Sequence, residues 1–202
     1  MQKFSVVVFD LGNVLIPFDY NQVIQKFNKI KLGLGDKFKQ LYATNYYIHR
    51  QFEKGELTLD EFVDIMLNWL EGNISKKDFI ETFANVFTLN QNVIDLIPIL
   101  KEKYFIALLS NTNVLHKDFG YGHFEFLNLF DKTFYSHEIG AIKPEEKIYR
   151  TVEAYTQKPS NEHFFIDDVF EYVEGAKKCG WSGTQFVNYD KLVNDLKTFG
   201  IL

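Results

Sequence analysis

The run Phe4-Ser5-Val6-Val7-Val8-Phe9 constrains the fold more than any other stretch of this chain. It is nearly all apolar and rich in β-branched residues, with no alternation of polar positions. Such a run suits a strand buried on both faces, the setting of a central strand in a parallel sheet. It stops abruptly at Asp10-Leu11-Gly12-Asn13. It falls far short of the roughly 20 apolar residues of a membrane span and is too short for the apolar region of a secretory leader. Met1-Gln2-Lys3 leads straight into it, so the chain reads as soluble and unprocessed.

From about Asp19 to Phe87 the texture changes: helical periods dominate and strand-like runs are missing. Thr58-Leu59-Asp60-Glu61 is a capping-box pattern that predicts a helix over 59–70. Ser75 opens a second helix over 76–86, and Phe62, Ile65, Trp69 and Phe79 form the apolar interior of this region. Strands and helices then alternate. Helices are expected at 90–102, with a kink or early boundary at Pro98, at 144–155, with Pro144 in the first turn, and at 170–178, with Gly180 as a cap. Strands are expected at 105–109, 132–136, 163–166 and 185–187. The alternation predicts an α/β chain, a Rossmann-like parallel sheet with helices on both faces. Residues 1–17 and 88–202 make its core, and 18–87 a small helical cap inserted after the first strand.

The 202 residues are 46% hydrophobic and include 21 Phe, enough for a sizeable core and unlike a disordered chain. The net charge is -5 with no basic tract, which excludes a nucleic-acid footprint and favours solubility. The single cysteine, Cys179, permits no internal disulfide and fits a reducing cytoplasm. No partner is implied beyond a small molecule, neither nucleic acid nor membrane. The oligomeric state is not legible.

Polar clusters follow the buried strands: Asp10, then Ser110-Asn111, then Asp167-Asp168. In an open parallel sheet, ligands bind beyond the carboxyl ends of the strands, so these three clusters converge. Taken alone, Asp10 also reads as the cap of a turn, one residue of the acidic pair as the cap of the helix near Phe170, and Lys143 as a surface lysine. Together, Asp10, Asp167 and Asp168 offer hard oxygen ligands that suit magnesium. A carboxylate such as Asp10 can attack phosphorus once a cation neutralises the charge. The Ser110 hydroxyl with the amides that follow, and the ammonium of Lys143, suit phosphoryl oxygens.

Phe9-Asp10-Leu11-Gly12-Asn13-Val14, Leu109-Ser110-Asn111-Thr112-Asn113, Lys143-Pro144-Glu145 and Phe165-Ile166-Asp167-Asp168 resemble, in order, the motifs of the haloacid dehalogenase superfamily. The form is most similar to its sugar-1-phosphate phosphatase branch. The resemblance implies a magnesium-dependent phosphatase of a small phosphorylated metabolite, such as a sugar phosphate. Asp10 would be the nucleophile, with Ser110 and Lys143 catalytic. Asp10, the backbone carbonyl of Gly12, Asp167 and Asp168 would hold metal, Asp168 directly and Asp167 through water. Asn13 with its amide, Asn111, Lys143 and His116 would hold substrate. His49, Arg50 and Glu53 lie where this family places specificity residues.

One departure stands out. Most phosphatases of the superfamily carry a second aspartate two residues after the nucleophile, as general acid and base; here that position is Gly12. Such a group contributes about 10²–10⁴-fold. Asp19 could substitute through water. Val169 and Tyr172 also replace polar residues that often follow the acidic pair. Two alternatives stay open: a binding protein with an impaired site, and a dehalogenase, in which the same aspartate attacks carbon.

Overall fold

The computed structural model describes residues 4–202; Met1, Gln2 and Lys3, and the expectation that they run straight into the strand, lie outside them. Among the described residues five parallel strands form one sheet in the order β3-β2-β1-β4-β5. They are β1 Val6–Phe9, β2 Phe105–Ser110, β3 Lys132–Tyr135, β4 His163–Asp167 and β5 Ser182–Gln185. The run that opens the chain is the central strand, paired on one side with β2 and on the other with β4. Its side chains divide by the period of two. Val7 and Phe9 join one core with Ile106, Leu108, Phe164 and Ile166. Val6 and Val8 join the opposite core with Ala107, Leu109 and Phe165. Burial on both faces explains why this strand shows no alternation.

Three expected elements are shifted or broken. β5 falls at Ser182–Gln185 rather than 185–187. It is an edge strand of small and polar residues, chosen by pairing rather than propensity: a Cβ on Gly183 would sit 2.7 Å from the Phe165 carbonyl, so only glycine lets the backbones approach. The helix expected over 90–102 breaks at Asp95 into α6 Gln91–Ile94 and α7 Leu96–Lys101. Pro98 thereby lies in the first turn of α7, where its missing N–H leaves no helical bond unmade. Pro144 precedes its helix, α9 Glu146–Thr156, instead of opening it. The helix at Phe170–Lys178, α10, falls where expected, with Gly180 beyond it at φ +95°.

Between β1 and α6 the chain leaves the sheet for five helices: α1 Asn21–Ile30, α2 Leu34–Thr44, α3 Tyr46–Glu53, α4 Leu59–Trp69 and α5 Lys76–Ala84. They share a separate core around Phe27, Phe38, Phe52, Phe62, Phe79 and Phe83. The outgoing and returning segments pair with one another. Asp19 N–H donates to the Val86 carbonyl at 3.0 Å, and Thr88 N–H to Pro17 at 2.9 Å. α8, Ser136–Ile139, ties the sheet to these helices: Ser136 Oγ donates to the Glu53 carbonyl at 2.5 Å. Gly55 comes so close that a Cβ there would meet the His137 carbonyl at 2.4 Å.

The capping box forms as the sequence predicts. Thr58 Oγ1 accepts from Glu61 N–H at 3.3 Å, and Glu61 Oε2 accepts from Thr58 N–H at 2.8 Å. Thr58→Ala leaves the Glu61 N–H to water and is expected to lower Tm by about 2–4 °C, measured by calorimetry.

Candidate active site

The sheet register alone brings the predicted polar residues together. Phe9 pairs with Leu108 and with Ile166, so Asp10 emerges level with Asp167 at the carboxyl edge, with Ser110 one residue further along β2. Asp10 N–H donates to the Ile166 carbonyl at 2.8 Å, which anchors the turn. Ligand oxygens of Asp10, Asp167 and Asp168 all lie within 4.8 Å of one another. Three carboxylates this close repel unless a cation sits among them. Lys143 provides one charge: its Nζ lies 2.6 Å from Asp10 Oδ1 and 2.6 Å from Asp167 Oδ2. It is no surface lysine, being only 1% exposed. Its Nζ also lies 5.1 Å from the centre of the Tyr172 ring, which gives that replacement residue a part in holding the cation.

The electrostatics follow from burial. Burial pushes the Asp10 carboxyl up to about 8, outweighing the neighbouring Lys143. Burial raises Asp167 in the same way. Burial works against the Lys143 ammonium, but Asp10 and Asp167 outweigh it and hold its pKa above the usual lysine value. The donor set fits a hard divalent cation, which would oppose the effect of burial, favour the ionised carboxylates and balance the two negative charges they then leave after Lys143 is counted. Both oxygens of Asp167 have protein donors, Lys143 Nζ and the Val169 amide at 2.8 Å. Asp168 is half-buried, with Oδ2 accepting from Asn13 Nδ2 at 3.0 Å. Neither side chain caps α10, whose first residue is preceded by Val169.

Other predicted residues reach the cavity with their polar atoms already engaged. Asn13 adopts a left-handed conformation, φ 53°, which asparagine tolerates. Its amide, expected to cradle phosphate, instead donates to the Ile16 carbonyl at 3.1 Å, because the turn after β1 closes on itself. The Gly12 carbonyl accepts from Val14 N–H at 2.6 Å within that same turn, leaving its second lone pair. Asn111 clamps the backbone of Lys143 from both sides: Oδ1 accepts from Lys143 N–H at 2.7 Å, and Nδ2 donates to its carbonyl at 3.1 Å. The Thr112 amide donates to Ser136 Oγ at 2.9 Å. Ser110, 2% exposed, lines the cavity. His116 lines it too, stacked on Phe83 and hydrogen-bonded to Tyr20 at 3.1 Å. Burial pushes its imidazole down to about 3, so it is neutral.

The cavity holds about 380 Å³, with a floor from the sheet edge and a wall from the inserted helices. Tyr46, His49, Arg50 and Glu53 stand at helical spacing on one face of α3 and all line it. The resemblance pointed to His49, Arg50 and Glu53; Tyr46, and the tyrosines Tyr20 and Tyr42 that complete the wall, carried no motif. Asp19 does not line the cavity. It turns back to accept from Asn21 N–H and Nδ2, both at 2.8 Å, and starts α1. Gly12 is not in the left-handed region, so its side chain is limited by space rather than by φ: a Cβ would lie 3.2 Å from the exposed ring of Phe18.

No family model matches the chain. A D-ribitol-5-phosphate phosphatase of Bacteroides thetaiotaomicron is 26% identical over 189 residues, 89% of this chain and 90% of the relative. A crystal structure of a HAD family enzyme from the same organism superposes with TM-score 0.83 and 29% identity, covering 94% of this chain and 98% of that one. A variant of that enzyme with one aspartate changed to alanine, in complex with magnesium and inorganic phosphate, matches at TM-score 0.78, with 30% identity and the same coverage. A predicted HAD-like hydrolase of Porphyromonas gingivalis, at 22% identity and TM-score 0.78 over 96% of this chain and 98% of that one, shares the fold.

Proposed function

The chain belongs to the haloacid dehalogenase superfamily of hydrolases, and on that premise we propose that it is a magnesium-dependent phosphatase of a small phosphorylated metabolite. The observation that carries this reading is the trio Asp10, Asp167 and Asp168 gathered around buried Lys143 at the floor of the cavity. Relatives named for phosphatase activity, or crystallised with magnesium and phosphate, support it.

In this reading Asp10, Asp168 and the Gly12 carbonyl hold magnesium, with Asp167 behind them. The bound cation supplies charge neutralisation between the carboxylates and an incoming phosphate dianion. Lys143 Nζ holds Asp10 Oδ1, which leaves Oδ2 without a donor among the described residues and available to attack phosphorus. The bond from phosphorus to the leaving oxygen breaks as the bond to Asp10 forms. Water then attacks the aspartyl-phosphate, releasing inorganic phosphate and restoring Asp10. Ser110 and the Asn111 amide hold phosphoryl oxygens, and the Asn111 side chain positions Lys143. Residues 18–87 act as a cap that shuts water out and reads the alcohol part of the substrate.

Magnesium-dependent release of phosphate from an aryl phosphate, stopped by EDTA, tests the reading; no release would sink it. Release of halide from a chloroacid would instead support the dehalogenase alternative, which makes no use of three gathered carboxylates. Phosphate binding without turnover would support an impaired binding protein, the reading that Gly12 favours.

Gly12 sets a further expectation. With no carboxylate there and Asp19 turned away, the leaving oxygen departs bearing more charge. Rates should rise steeply with leaving-group acidity, aryl and acyl phosphates far exceeding alkyl ones, in a series of graded leaving-group pKa. A flat series, with chemistry limiting, would mean that another residue donates the proton. Gly12→Asp needs only a shift of the Phe18 ring and should speed alkyl substrates most, up to about 10²-fold.

A further inference from the structure

We infer that the helical wall of this cavity selects monophosphate esters whose alcohol part is uncharged and hydroxylated, that it rejects esters carrying a second anionic group, and that Glu53 sets this preference. The inference rests on the phosphatase reading above and deepens it.

The charge count comes first. Among the described residues that line the cavity, the lysines and arginines are Lys143 and Arg50. Each already answers a carboxylate. Lys143 lies between Asp10 and Asp167. The Arg50 guanidinium donates to Glu53 Oε2 at 3.0 Å, to the Lys143 carbonyl at 3.0 Å and to the Tyr172 hydroxyl at 3.2 Å. His116 is neutral. His49 Nε2 lies 3.2 Å from Glu53 Oε1, so any charge it carries is also taken. A phosphate dianion has the carboxylate-bound cation for a partner. A second anion at the far end of the same substrate has none, and it meets Glu53.

The hydrogen-bond count points the same way. Glu53 is 7% exposed and buried in the wall. Burial works against its ionised form, but His49 and Arg50 outweigh it and keep the carboxylate charged. Its two oxygens offer about four acceptor sites, of which the described residues fill two, Arg50 and His49. A hydroxyl donor on the substrate suits the remainder, whereas a carboxylate cannot donate and is repelled. Nearby, the hydroxyl of Tyr42 on His49 Nδ1 (2.6 Å) and that of Tyr20 on His116 add neutral donors and acceptors. The wall is therefore polar without being cationic, the reverse of a site for a carboxylated or doubly phosphorylated ester.

The test compares esters of similar size: glycerol 3-phosphate and 3-phosphoglycerate, whose leaving groups are close in acidity, and propyl phosphate, a poorer leaving group compared through KM, with magnesium present and aryl phosphate as the reference for turnover. The unmodified protein should favour glycerol phosphate over both others by about ten- to a hundredfold in kcat/KM, the worth of hydrogen bonds to a charged group, and mainly through KM. Glu53→Gln should lower the glycerol phosphate value and largely close its gap to phosphoglycerate. Equal or better use of phosphoglycerate by the unmodified protein overturns the inference, and so does an unchanged gap in a folded Glu53→Gln variant. If the variant does not fold, the comparison on the unmodified protein decides alone. Turnover of aryl phosphate without the preference overturns this inference and leaves the phosphatase reading standing. Release from no ester overturns that reading, and this one with it.

Discussion

Asp10→Asn is expected to abolish phosphate release, by about 10⁴-fold or more, while the protein stays folded. Asparagine fills the same volume and its Oδ1 still accepts from Lys143, but it cannot form the aspartyl-phosphate. Lys143 keeps Asp167 at 2.6 Å and the Leu109 carbonyl at 3.2 Å, so no buried cation is stranded. The same variant has a pH signature. Burial raises the Asp10 carboxyl to about 8 from an ordinary 3.8. Between these values the unfolded chain has released a proton that the folded protein retains, so stability falls as pH rises through that window. In EDTA, Tm of the unmodified protein should therefore drop between pH 5 and pH 8. Asp10→Asn should reduce that slope, leaving the part due to Asp167. Parallel profiles for the two proteins would show that Asp10 ionises normally.

The second large effect is expected from Asp168→Asn. It should remove magnesium activation and lower magnesium affinity at least about a hundredfold. Magnesium here must be held against competition from water, and each carboxylate lost takes away both a ligand and a charge. Asp168 is half-buried, and its bond to Asn13 Nδ2 survives with an amide oxygen as acceptor, so Tm in EDTA should hardly change. The measurements are calorimetric titration with magnesium and turnover against magnesium concentration. Unchanged activation would reduce Asp168 to a partner of Asn13, with the cation held elsewhere.

The positions of Asp10, Ser110 and Asp167 were legible because each ends an apolar run, and a parallel sheet aligns such ends. The α/β architecture was legible for the same reason. What the sequence conceals is how polar groups are spent. Lys143 carries no local sign of burial, since its partners lie at positions 10 and 167 and meet only through the sheet. Asn111 looks like a substrate ligand until its two ends are found on the Lys143 backbone. β5 lacks an apolar run because an edge strand, with Gly183 against Phe165, is recruited by pairing. The resemblance singled out His49, Arg50 and Glu53, which share one face of α3 with Tyr46. Only tertiary packing turns that face toward the nucleophile.

The central place of β1 has a consequence for how the chain comes into being. Its first partner, β2, leaves the ribosome roughly a hundred residues after it, about 5–20 s at ordinary elongation rates, and β4 follows later still. Until then Val6-Val7-Val8-Phe9 is an apolar β-former with both edges unpaired, the kind of segment that recruits other chains. The inserted helices emerge in the interval with a core of their own and can condense first. Nascent-chain stalling before β2 should thus yield a helical, chaperone-dependent species with no competent site, and ligation of the nucleophile's surroundings should appear only once β4 is out.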